Sequence, residues 1–154
     1  MSLPARVGTD RRVVRSLTEL ADLVSDWDDD HVLYVRWTVD IGRDIRTGVS
    51  RDELTGIALP GLSANSLAVE PWWNDRPLTA WLARRLYDYR HLIEKRGPHT
   101  RPWVVAGVEA GRGPDNEPLI CDCRVVAQVD MEVLTEVERE VERLGDDWGS
   151  LSRS

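Results

Sequence analysis

The sequence predicts an α+β fold: one domain in which a small, mainly antiparallel sheet packs with an N-terminal helix, a long central helix and a C-terminal helix. Two observations lead to this prediction. Helix-capping residues stand directly before apolar residues at helical spacing, and separate runs of β-branched and aromatic residues are typical of strands. The length of 154 residues suits a single domain with its own hydrophobic core.

The N-terminal part predicts one helix and one strand. Ser16 and Glu19 form a capping box, and the apolar spacing that follows predicts a helix over residues 17–27. Residues 31–38, HVLYVRWT, predict a strand because β-branched and aromatic residues dominate them. One face of this strand carries Leu33, Val35 and Trp37, and the other carries Val32, Tyr34 and Arg36.

Glycine and proline interrupt the predicted elements in the middle of the chain. Residues 39–49 hold two glycines among alternating charges and predict an exposed loop. Residues 50–53 repeat the capping-box pattern, but Gly56 leaves room for only a short helical turn. The apolar stretch 57–65, IALPGLSAN, predicts a short strand that enters a tight turn.

The second half predicts a helix followed by a hairpin. A long helix over 77–96 begins at Pro77, which suits a first helical position, and stops near Gly97. Residues 103–109 predict a second strand, the turn GRGPDNEP follows, and residues 119–129 alternate as a half-buried strand.

The end of the chain completes the pattern. The alternation places one set of side chains together on a buried face: Leu119, Cys121, Cys123, Val125, Ala127 and Val129. Asp130 caps a last helix, whose apolar stripe runs from Val133 to Leu144. The segments 1–12 and 146–154 are expected to be flexible.

Charge and hydropathy exclude several function classes. Arg and Lys number 20 against 27 Asp and Glu, which gives a net charge of −7. A protein that binds phosphate backbones without sequence preference is expected to be basic, so nonspecific nucleic-acid binding and an anionic membrane surface are disfavoured. No segment has the features of a signal peptide or the roughly 20 apolar residues of a membrane span, which predicts a cytoplasmic protein.

The cysteines and histidines give no metal motif. Cys121 and Cys123 lie two apart on a strand, where they face the same side and do not readily bridge, so reduced and buried thiols are expected. His31, His91 and His99 show no ligand spacing, and no metal site is expected.

Three polar positions stand out because propensity does not explain them. Arg36 lies in an apolar strand, where it is a ligand-phosphate contact, a structural ion pair or a solvent-facing residue. Ser63 and Asn65 lie in GLSAN, a turn of small residues that either admits a ligand or is ordinary turn chemistry. Asp115 and Glu117 precede the clearest strand, as a tuned carboxylate pair or as an acidic hairpin turn.

Trp72 and Trp73 have two interpretations. They form a stacking platform for a flat ligand or a partner surface, or they fill the core of a protein that has seven Trp and no Phe. The second interpretation is favoured.

Several segments resemble a family of short, uncharacterised actinobacterial proteins over most of the chain. They are LYVRW (33–37), SRDELTG (50–56), LPGLSAN (59–65), EPWW (70–73), ARRLYDY (83–89), RPWVVAG (101–107) and GRGPDNEPL (111–119). The resemblance implies no activity.

A second resemblance concerns ADP-ribosyltransferases of the Arg–Ser–Glu type. LYVRW is similar to their aromatic-plus-Arg strand and implies that Arg36, with Tyr34 beside it, contacts NAD. GLSAN is similar to their Ser-centred strand and implies a role for Ser63 and Asn65 near the nicotinamide ribose. PDNEPLI resembles their acidic pair, which implies Glu117 as the carboxylate that holds the ribose hydroxyl and Asp115 as its companion.

Two functions follow as hypotheses. The first is an NAD-consuming ADP-ribosyl transferase or hydrolase, with NAD as substrate and Arg36, Ser63 and Glu117 in one cleft. The alternative is a noncatalytic protein-binding or regulatory module that uses an exposed surface containing Trp72 and Trp73. A hydrolase that uses Asp115 and Glu117 on another substrate ranks last, because no nucleophile or metal motif accompanies the pair.

Overall fold

The computed structural model describes residues 12–52, 54–73, 76–114 and 116–144. Its strands are β1 (Arg12–Val14), β2 (Val32–Thr38), β3 (Leu62–Ser63), β4 (Asn65–Ser66), β5 (Arg101–Arg112) and β6 (Pro118–Val129). Its α-helices are α1 (Leu17–Asp26), α2 (Ile41–Thr47), α3 (Leu78–Tyr89), α4 (Leu92–Arg96) and α5 (Met131–Leu144), and Pro71–Trp73 form one 3-10 turn. The predicted α+β class, with its mainly antiparallel sheet and three main helices, is confirmed.

The sheet is built around a long hairpin. β5 and β6 pair antiparallel over almost their whole length, and β2 pairs antiparallel with the other edge of β5. β1 pairs parallel with the end of β6, and β4 pairs with the outer edge of β2. The strand order is therefore β1-β6-β5-β2-β4.

One end of the sheet curls into a small barrel. β3 pairs with the start of β6, where Leu62 lies opposite Ile120, while β4 pairs with β2, where Asn65 lies opposite Val35. Only Ala64 separates β3 from β4, so this short segment bridges the two strands that flank β5. Three register shifts between β5 and β6 supply the extra coiling that the closure needs.

Two hydrophobic cores result. The larger one lies between the sheet and helices α1, α3 and α5, and its fully buried members include Leu20, Val35, Trp37, Leu82, Leu86, Val104 and Ala127. The smaller one fills the barrel end and consists of Tyr34, Ile41, Leu62, Ala64, Val105 and Ile120. β2 is thus buried on both faces, which its dense apolar sequence anticipates.

The capped helices confirm their sequence signals. The Ser16 hydroxyl accepts a hydrogen bond from the Glu19 amide at 3.1 Å at the start of α1. The Asp130 carboxylate accepts from the Glu132 amide at 2.9 Å at the start of α5. The central helix is less regular than predicted: it is divided into α3 and α4 at Arg90 and His91, and it ends at Gly97 with φ 110°.

The prediction of an exposed loop over 39–49 is wrong. Residues 41–47 form α2, which Asp40 caps by accepting from the Arg43 amide at 3.0 Å and which Gly48 ends with φ 73°. The reason is tertiary: Ile41 enters the barrel core and Asp44 is buried. After the capping-box pattern, the Gly56 amide donates to the Asp52 carbonyl oxygen at 2.8 Å, which agrees with the short turn predicted there. The Ser50 hydroxyl accepts from the Ser63 amide at 2.9 Å.

The prediction that β6 buries a single face is also wrong. Ala127 belongs to the larger core and Val125 packs against the smaller one, because a register shift separates them. Cys121 is exposed and Cys123 is half-buried, so the prediction of two buried thiols fails for Cys121. Asp122 between them has φ 52°, an unusual conformation for a residue other than glycine.

The flexible ends predicted for the chain lie almost wholly outside the described residues; Arg12 alone falls within them, in β1. In the described part of the chain, every helix is too short or too polar to cross a bilayer.

Candidate functional site

An open cleft of about 1400 Å³ lies beside the β3–β4 segment. It runs from the turn between β5 and β6, past α2, to α4. Tyr34, Arg36, Ser63, Asn65 and Glu117 all line it, so the structure brings together every described residue that the sequence singled out as a site residue. Asp115 lies outside the described residues.

Arg36 is held by a buried ion pair. Its Nε donates to Asp44 Oδ2 at 2.7 Å, and the side chains of Arg36 and Asp44 are only 9% and 8% exposed. Its Nη1 donates to the Ser63 carbonyl oxygen at 2.6 Å. Strand β2 supplies the arginine and helix α2 supplies the acid, so the pair joins the two elements across the barrel end.

Two serine hydroxyls complete this network. Arg36 Nη1 lies 3.2 Å from Ser63 Oγ and 3.4 Å from Ser50 Oγ, and the two hydroxyl oxygens lie 3.4 Å apart. Ser50 also accepts from the Ser63 amide, which fixes the chain before β3. Sequence reasoning missed both Ser50 and Asp44, since it assigned one to a helix cap and the other to a loop.

Glu117 lies in the turn before β6, in the wall of the cleft that this turn forms. Its carbonyl oxygen accepts from the Gly113 amide at 2.9 Å, which closes the turn, and its half-buried carboxylate lies against Gly113. Arg112 stiffens the same wall, since it donates to Glu109 Oε2 at 3.1 Å and to the Asn116 carbonyl oxygen at 2.9 Å. Asn65 is held through its backbone pairing with Val35.

The model of DUF6098, described as a family of unknown function, matches residues 7–149. The chain belongs to the DUF6098 family. No curated protein and no solved structure matches it significantly. This description assigns no activity to the family, and the actinobacterial origin and the NAD chemistry remain predictions.

Charged residues line the cleft of this DUF6098 protein on several sides. Among the described residues, seven Arg or Lys and five Asp or Glu line it. The bases are Arg36, Arg43, Arg51, Arg85, Lys95, Arg96 and Arg112; the acids are Asp44, Asp52, Glu70, Glu109 and Glu117. The local excess of positive charge favours an anionic ligand.

Two side chains at the barrel end are protonated at neutral pH. Burial raises the pKa of the Tyr34 hydroxyl, and the nearby Glu109 carboxylate adds to the rise. Burial raises the pKa of the Cys123 thiol to about 11, with Cys121 adding to the effect and Arg36 opposing it. Cys123 is therefore a poor nucleophile, and the Tyr34 hydroxyl keeps its proton.

Trp72 and Trp73 differ in their exposure to solvent. Trp73 is 2% exposed and packs edge-on against Trp81 at 5.3 Å, which confirms its role in the core. Trp72 is 39% exposed, although its ring contacts both Trp73 and Trp81. Within the described residues, no group of three His, Cys, Asp or Glu is arranged to hold a metal ion.

Proposed function

We propose that the cleft binds an anionic ligand of the nucleotide class, with NAD as the specific candidate, and that Glu117 acts on the bound molecule. The observation that supports this most is the convergence of Arg36, Ser63 and Glu117, from three distant segments, on one cleft. The basic lining supports it independently, because a dinucleotide carries two negative charges on its diphosphate. A volume of about 1400 Å³ leaves room for an elongated ligand.

Arg36 has a positioning role in this proposal. Its charge is already compensated by Asp44, so the net attraction for a phosphate comes from more exposed bases of the cleft. Arg43 is one of them: its side chain is 62% exposed and its Nε lies 4.0 Å from Asp44. Arg36 instead fixes Ser63 and the chain around it, where a ligand would meet a rigid wall.

Glu117 supplies the chemistry. Its carboxylate accepts a hydrogen bond from a ribose hydroxyl and stabilises the positive charge that develops on the ribose as its bond to nicotinamide breaks. Nicotinamide leaves with the bonding electron pair. A water molecule, or the hydroxyl or amine of an acceptor, forms the new bond to the same carbon and releases a proton. No metal is required for these steps.

The first prediction concerns binding. NAD at about tenfold over its dissociation constant is expected to raise the melting temperature by about 3 °C, because a ligand bound only by the folded state stabilises it. Arg43→Ser should abolish most of this shift. Arg84→Ser is the matched control, since Arg84 lies on α3 and does not line the cleft. An equal shift in both variants, or none with wild type, would contradict NAD binding at this site.

The second prediction concerns turnover. Glu117→Gln is expected to reduce nicotinamide release from NAD by about 100-fold, because an amide carries no charge to stabilise the ribosyl cation. The NAD-induced melting shift should remain, since the substitution keeps the size of the side chain. Chromatographic detection of nicotinamide measures the rate. Undiminished release by the variant, or none by wild type, rejects the catalytic part and leaves the binding part standing.

A noncatalytic protein-binding function is the second candidate. The observation that favours it is the exposure of Trp72 together with Val69, which is 41% exposed and three residues earlier in the chain. The predicted surface that uses both tryptophans is reduced to Trp72, since Trp73 is buried. A partner that bound there would change the fluorescence of Trp72 and would be lost with Trp72→Ser, whereas NAD binding would survive that change.

A further inference from the structure

The Glu117 carboxylate occupies the place that a side chain at Gly113 would need. A Cβ on Gly113 would lie 2.3 Å from Glu117 Oε2, 2.5 Å from the carboxyl carbon and 2.6 Å from Oε1. All three distances are far shorter than the contact of about 3.5 Å that non-bonded heavy atoms make. The carboxylate can therefore take its observed position only because residue 113 is a glycine.

Hydrogen bonds hold the main chains of Gly113 and Glu117 together. The Gly113 amide donates to the Glu117 carbonyl oxygen at 2.9 Å, and the Gly113 carbonyl oxygen accepts from the Asn116 amide at 2.9 Å. Asn116 adopts φ 63°, a left-handed conformation that asparagine tolerates better than most residues. Arg112 Nη1 donates to the Asn116 carbonyl oxygen at 2.9 Å. Contacts among these four residues thus set where the Glu117 side chain starts, and Gly113 sets where it ends.

Glu117 belongs to the described residues that line the cleft, and Gly113 does not. A group that stabilises charge on a bound molecule must be placed accurately, because a misplacement of about 1 Å can lower the rate by about 100-fold. Gly113 has no side chain with which to meet a ligand. Any effect of Gly113 on the chemistry therefore acts through the position of Glu117.

We infer that Gly113 is a positioning residue for the Glu117 carboxylate, which lies against the main chain of Gly113 at the edge of the cleft. Gly113→Ala would force the carboxylate to retreat by about 1 Å to reach an ordinary contact distance. The catalytic consequence rests on the proposed function of Glu117, whereas the placement of the carboxylate does not.

The test compares Gly113→Ala with Gly111→Ala, the matched control on the same hairpin. A Cβ at Gly111 would meet Pro60 Cγ at 3.8 Å, an ordinary contact, and neither glycine has φ in the left-handed region, so alanine suits both backbones. Gly113→Ala is expected to slow nicotinamide release about 100-fold while the NAD-induced melting shift remains, and Gly111→Ala should change neither. Added to Glu117→Gln, Gly113→Ala should cause little further loss, because both changes act on one carboxylate.

A spectroscopic measurement separates the placement of the carboxylate from catalysis. In protein labelled with ¹³C at the glutamate carboxyl carbons, the Glu117 resonance is the one lost in Glu117→Gln. It should shift in Gly113→Ala and not in Gly111→Ala; an equal position in all three proteins overturns the inference. A shifted resonance with undiminished nicotinamide release overturns the positioning role. A shifted resonance without any release by wild type supports the placement and rejects the catalytic function of Glu117.

A further variant decides the case in which Gly113→Ala does not fold. Gly113→Ala combined with Glu117→Ala removes the carboxylate that the new Cβ would meet. Recovery of the wild-type melting temperature by this double change supports a clash with the Glu117 side chain. Failure to recover it shows that the main chain closes the space beside Gly113, which overturns the inference.

Discussion

Replacing Asp44 by alanine is expected to lower the free energy of unfolding by about 3–5 kcal/mol, a large part of the roughly 5–15 kcal/mol that a domain of this size possesses. The side chain of Arg36 is 9% exposed, and Asp44 is the acid that neutralises it at 2.7 Å. Without Asp44, the buried guanidinium keeps carbonyl and hydroxyl oxygens as its partners among the described residues. The expected loss of stability is the free energy of keeping an unpaired charge buried.

Urea unfolding followed by tryptophan fluorescence measures the effect. Asp88→Ala is the matched control. Asp88 pairs with Arg84 at 2.9 Å, but the side chain of Asp88 is 39% exposed, so its loss should cost at most about 1 kcal/mol. The double change Arg36→Met with Asp44→Leu should recover most of the lost stability, because no charge is then buried. If Asp44→Ala costs no more than Asp88→Ala, water reaches Arg36 and the pair is not a structural one.

For Arg36, the sequence predicts part of the site: the need for an anionic partner, but not which residue it is. An arginine within an apolar strand needs a carboxylate or a ligand phosphate, and that much follows from the sequence. The identity of the acid does not, because Asp44 lies in a segment whose two glycines and alternating charges resemble a loop. Helix α2 has only seven residues, too few to be stable alone, and it forms because Ile41 enters the barrel core and Asp44 meets Arg36.

Strand β6 shows that prediction of the fold from the sequence has a similar limit. Alternation predicted its extent well, since β6 covers Pro118–Val129. Alternation also predicted one buried face, and that failed because register shifts interrupt the pairing with β5. Each extra residue moves the following side chains to the other face. Helices α1 and α5 were predictable because capping and apolar spacing act within a single element, whereas a bulge depends on the partner strand.

Ser63 and Glu117 show what the bulges do for the site. The coiled hairpin carries the start of β6 around to β3, so that Ser63 pairs with Leu119, two residues after Glu117. The same closure places Ser63 against Arg36 on β2. The cleft is therefore a consequence of barrel closure, and a change that opens the barrel should remove stability and binding together.

Gly61→Val is expected to have that effect, with a loss of about 3 kcal/mol in the free energy of unfolding, at the upper end of the usual cost of overpacking. A Cβ at Gly61 would lie 2.6 Å from the Ile120 carbonyl oxygen and 3.0 Å from the Ile120 amide nitrogen, so backbone must move. The Gly61 carbonyl oxygen also accepts from the Ser50 amide at 2.9 Å. Displacing Gly61 therefore disturbs both the β3–β6 pairing and the hydrogen bond with Ser50.

Gly42→Ala provides the matched control. A Cβ there would meet Arg46 Nη1 at 3.4 Å, the end of a flexible side chain, and Gly42 lies within helix α2. Alanine should therefore stabilise the protein by about 0.5–1 kcal/mol. Urea unfolding and the NAD-induced melting shift measure stability and binding in the same samples. If Gly61→Val lowers stability but leaves binding intact, the cleft does not depend on barrel closure. If it lowers neither, β3 can move away from β6 at little cost, and the close approach at Gly61 is not what holds Ser63 beside Arg36.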